Sequence, residues 1–206
     1  MKLVYFPLRG RAEATIMALT YGGVSFEVER IPFAEWGSSA KKCGRFPFNQ
    51  MPILELDDGT TLCQSVALLQ YAGFLAGLAP ADPIKLSQAL SLSLSVEDLS
   101  ALFIRFFFEQ DPEVKSKNQK SFADLEEVTL NCWVKTLGDQ DYFVDNKLSY
   151  ADFAIFEWLS GVGSSAYTED VEKFPTLRSF VERMSAIPEL QDLLTAEDRY
   201  PPLPNL

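Results

Sequence analysis

The sequence predicts a mixed four-stranded α/β domain followed by an all-α domain, and three observations lead to this prediction. A strand, a helix and a second strand open the chain, an order that implies a parallel pair joined by a crossover helix. Residues 57–60 (DDGT) then separate two short apolar segments, as in an antiparallel hairpin. Beyond Pro83 the apolar residues recur every three or four positions, which is the period of a helix.

The first half of the chain alternates strand and helix signals. Lys2–Phe6 and Phe26–Ile31 are predicted strands, because they combine β-branched and aromatic residues. Arg11–Tyr21 between them is a predicted helix that ends at two glycines. Residues 32–50 are predicted to be mainly loop. The elements that follow are a strand at Pro52–Leu56, a return strand at Thr61–Cys63 and a helix at Ser65–Leu78, with Ser65 as candidate N-cap. This order is the thioredoxin-like arrangement.

The second half is predicted to be a helical bundle. Ala79–Pro83 has the composition of a linker, so we expect one domain over residues 1–78 and a second over residues 82–206. The apolar stripe comprises Leu92, Val96, Leu99, Phe103 and Phe106, and further helices are predicted at Ser121–Gly138, Ser149–Leu159 and Thr176–Ala186. Ser149 and Asp152 have the spacing of a capping box. The Pro-rich tail Tyr200–Leu206 is expected to be extended and partly mobile.

Composition excludes several classes of function. The net charge of −11 argues against nucleic-acid binding, and no apolar stretch is long enough to span a membrane. Histidine is absent, which excludes Ser-His-Asp and Cys-His catalysis and His-ligated zinc. The three cysteines are irregularly spaced, which argues against a disulfide scaffold. Because no secretory leader opens the chain, we expect a cytoplasmic protein.

Charge is distributed unevenly along the chain. Residues 1–50 contain seven Lys/Arg and four Asp/Glu, a balance of +3, whereas the remainder contains eleven against twenty-five, a balance of −14. An anionic ligand would therefore meet a more favourable surface in the first segment, although chance variation alone could produce the same asymmetry.

Several residues could carry chemistry, and each also has an ordinary structural explanation. Tyr5 ends the first strand, where α/β sheets bind ligands, and its phenol could donate to an anion or pack in the sheet. A cis bond before Pro52 would let a peptide pair with the backbone of Met51, whereas a trans bond would not. Gln64 and Ser65 stand at a predicted helix start, which suits a bound carboxylate and also a plain cap. A basic-aromatic patch, either a binding surface or solvated, comprises Trp36, Lys41, Lys42 and Arg45.

In order and spacing these segments resemble the tyrosine-type cytosolic glutathione transferases, in particular the sigma-like or mu-like classes. The matching segments are residues 5–13 (YFPLRGRAE), Trp36, residues 47–54 (PFNQMPIL) and 62–65 (LCQS), then 141–143 (DYF) and 148–153 (LSYADF) in the second half. The resemblance covers nearly the whole chain. One departure is Asn49, where the family often has glycine. Residues 7–16 lack serine and cysteine, which argues against the serine-type and cysteine-type branches and leaves Tyr5 as the catalytic candidate.

The resemblance implies that glutathione is the co-substrate, without a metal, and that a hydrophobic electrophile is the second substrate. The Tyr5 hydroxyl would stabilise the glutathione thiolate, the γ-glutamyl end would lie on Gln64 and Ser65, and the glycine carboxylate would lie near Lys41 or Lys42. The match of residues 49–54 (NQMPIL) also implies a cis Met51–Pro52 bond, with the cysteinyl backbone of glutathione against Met51. The glutathione-binding positions that it implies within the first domain are Phe6, Arg11, Trp36, Lys41, Lys42, Gln50, Met51, Pro52, Gln64 and Ser65.

The resemblance also implies a homodimer, in which Glu97 or Asp98 reaches the glutathione of the partner subunit. The wall of the electrophile site would comprise Phe103, Arg105, Phe106 and Phe107, although for Phe103 a place in the core is the preferred interpretation. Two alternatives remain open at this point. The chain could be a non-catalytic ligand-binding or structural protein of the same fold, or a glutathione-dependent isomerase such as a prostaglandin synthase.

Overall fold

The structure, a computed structural model, describes residues 1–162 and 173–201. Its sheet consists of β1 (Lys2–Tyr5), β2 (Glu27–Arg30), β3 (Ile53–Glu55) and β4 (Thr61–Cys63), in the order β2-β1-β3-β4. β1 runs parallel to β2 and antiparallel to β3, which is antiparallel to β4. The predicted mixed four-stranded sheet is therefore confirmed, and in the described part of the chain every strand precedes residue 64.

β1 is an interior strand of the sheet and is fully buried at its centre. Leu3 pairs with Val28 on one side and with Leu54 on the other, and both Leu3 and Val4 are 0% exposed. Because helices cover the sheet, side chains on both faces of β1 are apolar. The sheet thus holds the end of β1, which carries Tyr5, in a fixed position.

Eight α-helices belong to the described residues. They are α1 (Glu13–Tyr21), α2 (Phe33–Ser38), α3 (Ser65–Leu75), α4 (Pro83–Phe107), α5 (Pro112–Leu137), α6 (Tyr150–Glu157), α7 (Pro175–Ser185) and α8 (Gln191–Thr195). α1 packs on α3 and also on α6, and α4 packs on α5 and α6. The predicted helical second domain is confirmed, and its core is continuous with residues of α1 and α3. No helix among the described residues combines the length and apolar character that crossing a membrane requires.

Two predicted helix starts in the second half are corrected by the structure. α5 begins at Pro112, well before the predicted Ser121, and Asp111 caps it by accepting hydrogen bonds from the amides of Glu113 and Val114 at 2.9 and 3.1 Å. Its first turns are exposed and lack an apolar stripe, so periodicity did not reveal them. α4 begins at Pro83, which had been assigned to the linker.

The boundaries of α1 and α3 also differ from the predictions. α1 begins at Glu13 rather than Arg11, and α3 ends at Leu75 rather than Leu78. The prediction of Ser65 as N-cap is wrong, because Gln64 occupies that position with a φ of 74°. The segment over residues 32–50 contains α2 and two short 3₁₀ turns, Ala40–Lys42 and Pro47–Asn49, where loop was predicted.

The capping box at the start of α6 is confirmed. The Asp152 carboxylate accepts hydrogen bonds from the backbone N–H of Ser149 at 2.8 Å and of Phe143 at 3.0 Å. In the predicted extended tail, Tyr200 and Pro201 contact the first domain, and residues 202–206 lie outside the described part of the chain.

Candidate active site

Tyr5 lies at the end of β1 with only 6% of its surface exposed. Burial raises the pKa of its phenol to about 12, while the charge and the backbone N–H of Arg11 act in the opposite direction. The hydroxyl is therefore protonated at neutral pH. In this protonated form the hydroxyl can donate a hydrogen bond.

A cleft of about 180 Å³ opens beside Tyr5. Its lining consists of Tyr5, Phe6, Leu8, Gly10, Arg11, Phe33, Met51, Ser100, Ile104 and Phe108. The first domain and α4 thus contribute opposite walls. The cleft is mainly apolar, and Tyr5 and Arg11 are its principal polar groups apart from one serine.

A chain of polar contacts extends from Arg11 along the start of α3. The Arg11 guanidinium forms an ion pair with Glu97 at 2.5 Å, and the Ser65 hydroxyl donates to the other oxygen of Glu97 at 3.0 Å. Next to Ser65, the Gln64 amide donates to the side-chain oxygen of Gln50 at 3.3 Å. Five of the predicted site residues are therefore brought together, and both oxygens of Glu97 are engaged within its own chain. Asp98, the other candidate for the partner's site, is exposed.

Met51 and Pro52 adjoin this polar group. The Met51–Pro52 peptide bond is cis, as predicted, and the Met51 side chain lines the Tyr5 cleft. Trp36 packs edge-on against Phe46 and Phe6, with ring centroids 4.9 and 5.8 Å apart.

Of the basic patch, Lys41 and Lys42 lie exposed in a 3₁₀ turn. Arg45 instead forms hydrogen bonds of 2.6–2.9 Å with Glu29 and Glu55 on the sheet. Arg45 therefore stabilises the sheet, and the two lysines are the cations of the patch that face solvent.

The residues of α4 that line the cleft are not those predicted for the electrophile wall. Phe103 is 2% exposed and packs edge-on against Phe122 and Trp158, in agreement with the preferred interpretation that it belongs to the core. Phe106 and Phe107 are half-buried, and their rings contact Phe103 at 6.1 and 5.4 Å. Arg105 is exposed, and none of these four residues is part of the cleft lining.

Helical periodicity explains this difference. The apolar stripe that identified α4 in the sequence marks the face that packs in the bundle. Ser100, Ile104 and Phe108 follow one another at four-residue spacing and form a separate face that reaches the cleft. Sequence reasoning missed these three residues, and also Phe33 of α2. The sequence signal that could have indicated them is a further aromatic residue, Phe108, directly after the predicted wall residue Phe107.

Comparison with known proteins agrees with this architecture. Residues 1–73 match the family model "Glutathione S-transferase, N-terminal domain", and residues 97–197 match "Glutathione S-transferase, C-terminal domain". The chain is 31% identical over 193 residues to hematopoietic prostaglandin D synthase of Gallus gallus, covering 92% of each protein. It is 31% identical over 211 residues to glutathione S-transferase A2 of Homo sapiens, covering 98% of this chain and 91% of that relative.

A solved structure, prostaglandin synthase D of Nilaparvata lugens, has the same fold. It aligns with a TM-score of 0.86 at 24% identity, over 98% of both chains. The sheet domain, the helical domain and the two family matches agree over most of the chain, and it follows that this chain belongs to the glutathione S-transferase family.

Proposed function

We propose that this glutathione transferase activates the thiol of glutathione through the Tyr5 hydroxyl. A free thiol has a pKa of about 8.5, so little thiolate exists at neutral pH. A fixed donor aimed at the sulfur favours the anion, which then attacks an electrophilic carbon. The observation that carries the proposal is a buried, protonated phenol that opens directly into an apolar cleft.

Glutathione in this proposal lies along the polar group next to Tyr5. Gln64 and Ser65 bind its γ-glutamyl end, the Met51 backbone pairs with its cysteinyl residue, and Lys41 or Lys42 attracts its glycine carboxylate. Phe6, Arg11, Trp36, Gln50 and Pro52 complete the surface. The proposal is supported by the continuity of these residues, since Gln50 contacts Gln64 and Met51 lines the cleft that contains Tyr5.

The direct test is steady-state turnover of an activated aromatic electrophile with glutathione. We expect saturation kinetics in both substrates. Absence of turnover together with tight glutathione binding would indicate a non-catalytic ligand-binding protein.

A glutathione-dependent isomerase is the second candidate function. It is supported by the name of one similar protein, the hematopoietic prostaglandin D synthase of Gallus gallus. Incubation with a prostaglandin endoperoxide decides this point. An isomerised product that needs glutathione without consuming it would assign the second activity.

Phe108→Ala should raise the KM of a hydrophobic electrophile about tenfold and leave the KM of glutathione unchanged. Covering an aromatic side chain contributes about 1.5–3 kcal/mol, and Phe108 is 48% exposed at the cleft and free to be covered by a ligand. Val128→Ala, which removes an apolar side chain that is 66% exposed on α5, is the control. If the Phe108→Ala enzyme keeps the KM of the unaltered enzyme for several electrophiles, the second substrate does not lie against this face of α4.

We infer further that the active protein is a homodimer, and that Asp98 contacts the glutathione of the partner subunit. Support for Asp98 over Glu97 comes from the two contacts that already engage the Glu97 carboxylate, whereas Asp98 is exposed. Asp98→Asn should then raise the KM of glutathione about tenfold with little change in kcat. Asp124→Asn, an exposed charge on α5, should change neither. Sedimentation as a monomer at micromolar concentration would refute the dimer and the shared site together.

The proposed setting is detoxification in the cytoplasm. The cytoplasmic location is supported by the three cysteines, Cys43, Cys63 and Cys132, all of which are free thiols.

We also place the boundary between the two domains after Leu78, with the helical domain starting at Asp82. Asp82 supports this boundary because it caps α4, accepting hydrogen bonds from the amides of Ile84 and Lys85 at 2.9 and 3.0 Å.

A further inference from the structure

The segment between β1 and α1 directly follows Tyr5 and carries Arg11, but it belongs to no regular element. It includes residues 6–12, and Gly10 within it has a φ of 154°. A methyl group placed on Gly10 would lie 3.3 Å from the Tyr5 hydroxyl oxygen, so the backbone of the segment passes beside the proposed catalytic atom. Arg11 follows directly. The position of this segment therefore determines the surroundings of the Tyr5 hydroxyl.

Residues 199–201 pack against this region, two of them on residues 9–13 and one on Arg30 of β2. Arg199 donates to the Glu13 carboxylate at 3.1 and 3.3 Å, and the Arg9 backbone N–H donates to the Pro201 carbonyl at 2.9 Å. Between them, the ring of Tyr200 lies under the Arg30 guanidinium, 4.8 Å from its centroid.

Arg30 connects the tail to the other end of the same segment. Its guanidinium donates to the backbone carbonyls of Phe6 at 2.8 Å and Leu8 at 3.2 Å. The carbonyl groups of Phe6 and Leu8, the amide of Arg9 and the carboxylate of Glu13 are thus all held by the tail or by a side chain on which the tail packs. A segment without regular hydrogen bonding depends on such contacts for its order.

Burial makes the contact with Arg199 more important than a surface ion pair. Glu13 is 3% exposed and the Arg199 side chain is 15% exposed. A second carboxylate, Glu157, is 5% exposed and has no hydrogen-bond partner among the described residues. Burial and the neighbouring charge of Glu13 raise the pKa of Glu157, while the charges of Arg9 and Arg199 act in the opposite direction. Removing Arg199 therefore takes the paired cation away from the buried Glu13 carboxylate.

We propose that residues 199–201 position the active site, and that Arg199 is the positioning residue through which the end of the chain holds the segment from Phe6 to Glu13. This role rests on the proposed function, because it acts through the groups around the Tyr5 hydroxyl. Arg199 is not a catalytic residue, since it lies behind the segment and contacts Glu13 rather than the cleft lining. A site that is held loosely loses rate even when all its groups are present.

The test compares Arg199→Gln with Arg199→Lys and with Arg183→Gln. Arg183→Gln is the control, because Arg183 forms an ion pair with the exposed Asp141 at 3.0 Å in the helical domain, away from the cleft. Two quantities are measured in each protein: the hydrogen-exchange rate of the amides in residues 6–13, and kcat and KM with glutathione and an aromatic electrophile.

Arg199→Gln should speed exchange in residues 6–13 and lower kcat about tenfold to a hundredfold, with a smaller change in the KM of glutathione. Arg199→Lys should restore most of both quantities, because an ammonium group can also pair with Glu13. Arg183→Gln should change neither. The proposal is overturned if exchange in residues 6–13 or kcat is the same in Arg199→Gln as in Arg183→Gln.

Two further measurements distinguish failure of this proposal from a variant that does not fold and from failure of the proposed function. If Arg199→Gln does not fold, Tyr200→Ala removes only the contact with Arg30 and should give a smaller increase of exchange in the same residues. Unchanged exchange there contradicts the proposal. The titration of bound glutathione in the Tyr5→Phe enzyme tests the proposed function independently. Suppose that Arg199→Gln speeds hydrogen exchange in residues 6–13 but Tyr5→Phe leaves the pKa of the bound thiol unchanged. That result would refute the proposed role of Tyr5 and would still support the positioning role of Arg199.

Discussion

Replacement of Tyr5 by phenylalanine should lower kcat about 10²–10³-fold while glutathione still binds. The substitution deletes one preorganised donor aimed at the sulfur, a loss that typically costs about 2.7–4 kcal/mol of transition-state stabilisation. The contacts proposed for Gln64, Ser65 and Met51 with the peptide are unaffected. Because burial raises the pKa of the Tyr5 phenol to about 12, the hydroxyl keeps its proton near neutral pH and can donate this hydrogen bond.

The pKa of the thiol in the complex is the decisive measurement. In the Tyr5→Phe enzyme it should rise towards the ordinary value of about 8.5, so activity should recover partly at alkaline pH. The thiolate absorbance of bound glutathione, followed against pH, reports this directly. Tyr71→Phe is a matched control, since Tyr71 is half-buried in the same domain but outside the cleft lining. Coincident titration curves for Tyr5→Phe and the unaltered protein would refute the proposed mechanism.

Replacement of Asp152 by alanine should have the largest effect on stability, lowering the free energy of unfolding by about 3–5 kcal/mol. The Asp152 side chain is 0% exposed and accepts hydrogen bonds from Ser149 and Phe143, including two backbone amides. Alanine would leave these donors buried and unsatisfied, at a cost of about 1–3 kcal/mol each. Urea unfolding measures the difference. Asp139→Ala, at an exposed site nearby, should change stability by less than about 0.5 kcal/mol.

The effect of Asp152 should also depend on pH in a defined direction. Burial raises the pKa of this carboxyl to about 6, above its ordinary value of 3.8, despite the hydrogen bonds that it accepts. The folded state therefore holds the proton more tightly than the unfolded state. The resulting stabilisation is fully present below the unfolded pKa and is lost as pH rises through 6. The difference in stability between the unaltered protein and Asp152→Ala should widen as pH falls from 7 to 5. A constant difference would contradict the raised pKa.

Local sequence patterns were sufficient to predict much of the fold and part of the site. The order of strands, the hairpin before β4 and the capping box of α6 were all predicted, because each depends on residues within a few positions of one another. The Met51–Pro52 bond was recognised from its motif. The exposed first turns of α5, before Ser121, were missed, since the residues there carry no periodic apolar signal.

Glu97 illustrates what sequence reasoning could not supply. Glu97 or Asp98 was predicted to reach a partner subunit, and the structure shows that Ser65 and Arg11 of the same chain already contact the Glu97 carboxylate. Arg45 was grouped with two lysines as a basic patch, yet it bonds to Glu29 and Glu55 on the sheet. The sequence shows where charged residues occur along the chain, but which of them form pairs depends on the tertiary structure.

The sequence by itself determined the four strands, the longer helices that carry an apolar stripe and the position of Tyr5 at the end of β1, because hydrophobic periodicity, turn residues and caps act locally. Only the tertiary structure decided which face of α4 meets the cleft. A helical stripe identifies the side that packs, whereas Ile104 and Phe108 become a wall because the tertiary structure brings them to the same cleft as Tyr5. It also decided that Arg199 meets Glu13. Two residues at opposite ends of the chain are joined because burying one charge requires the other, and no local pattern encodes that pairing.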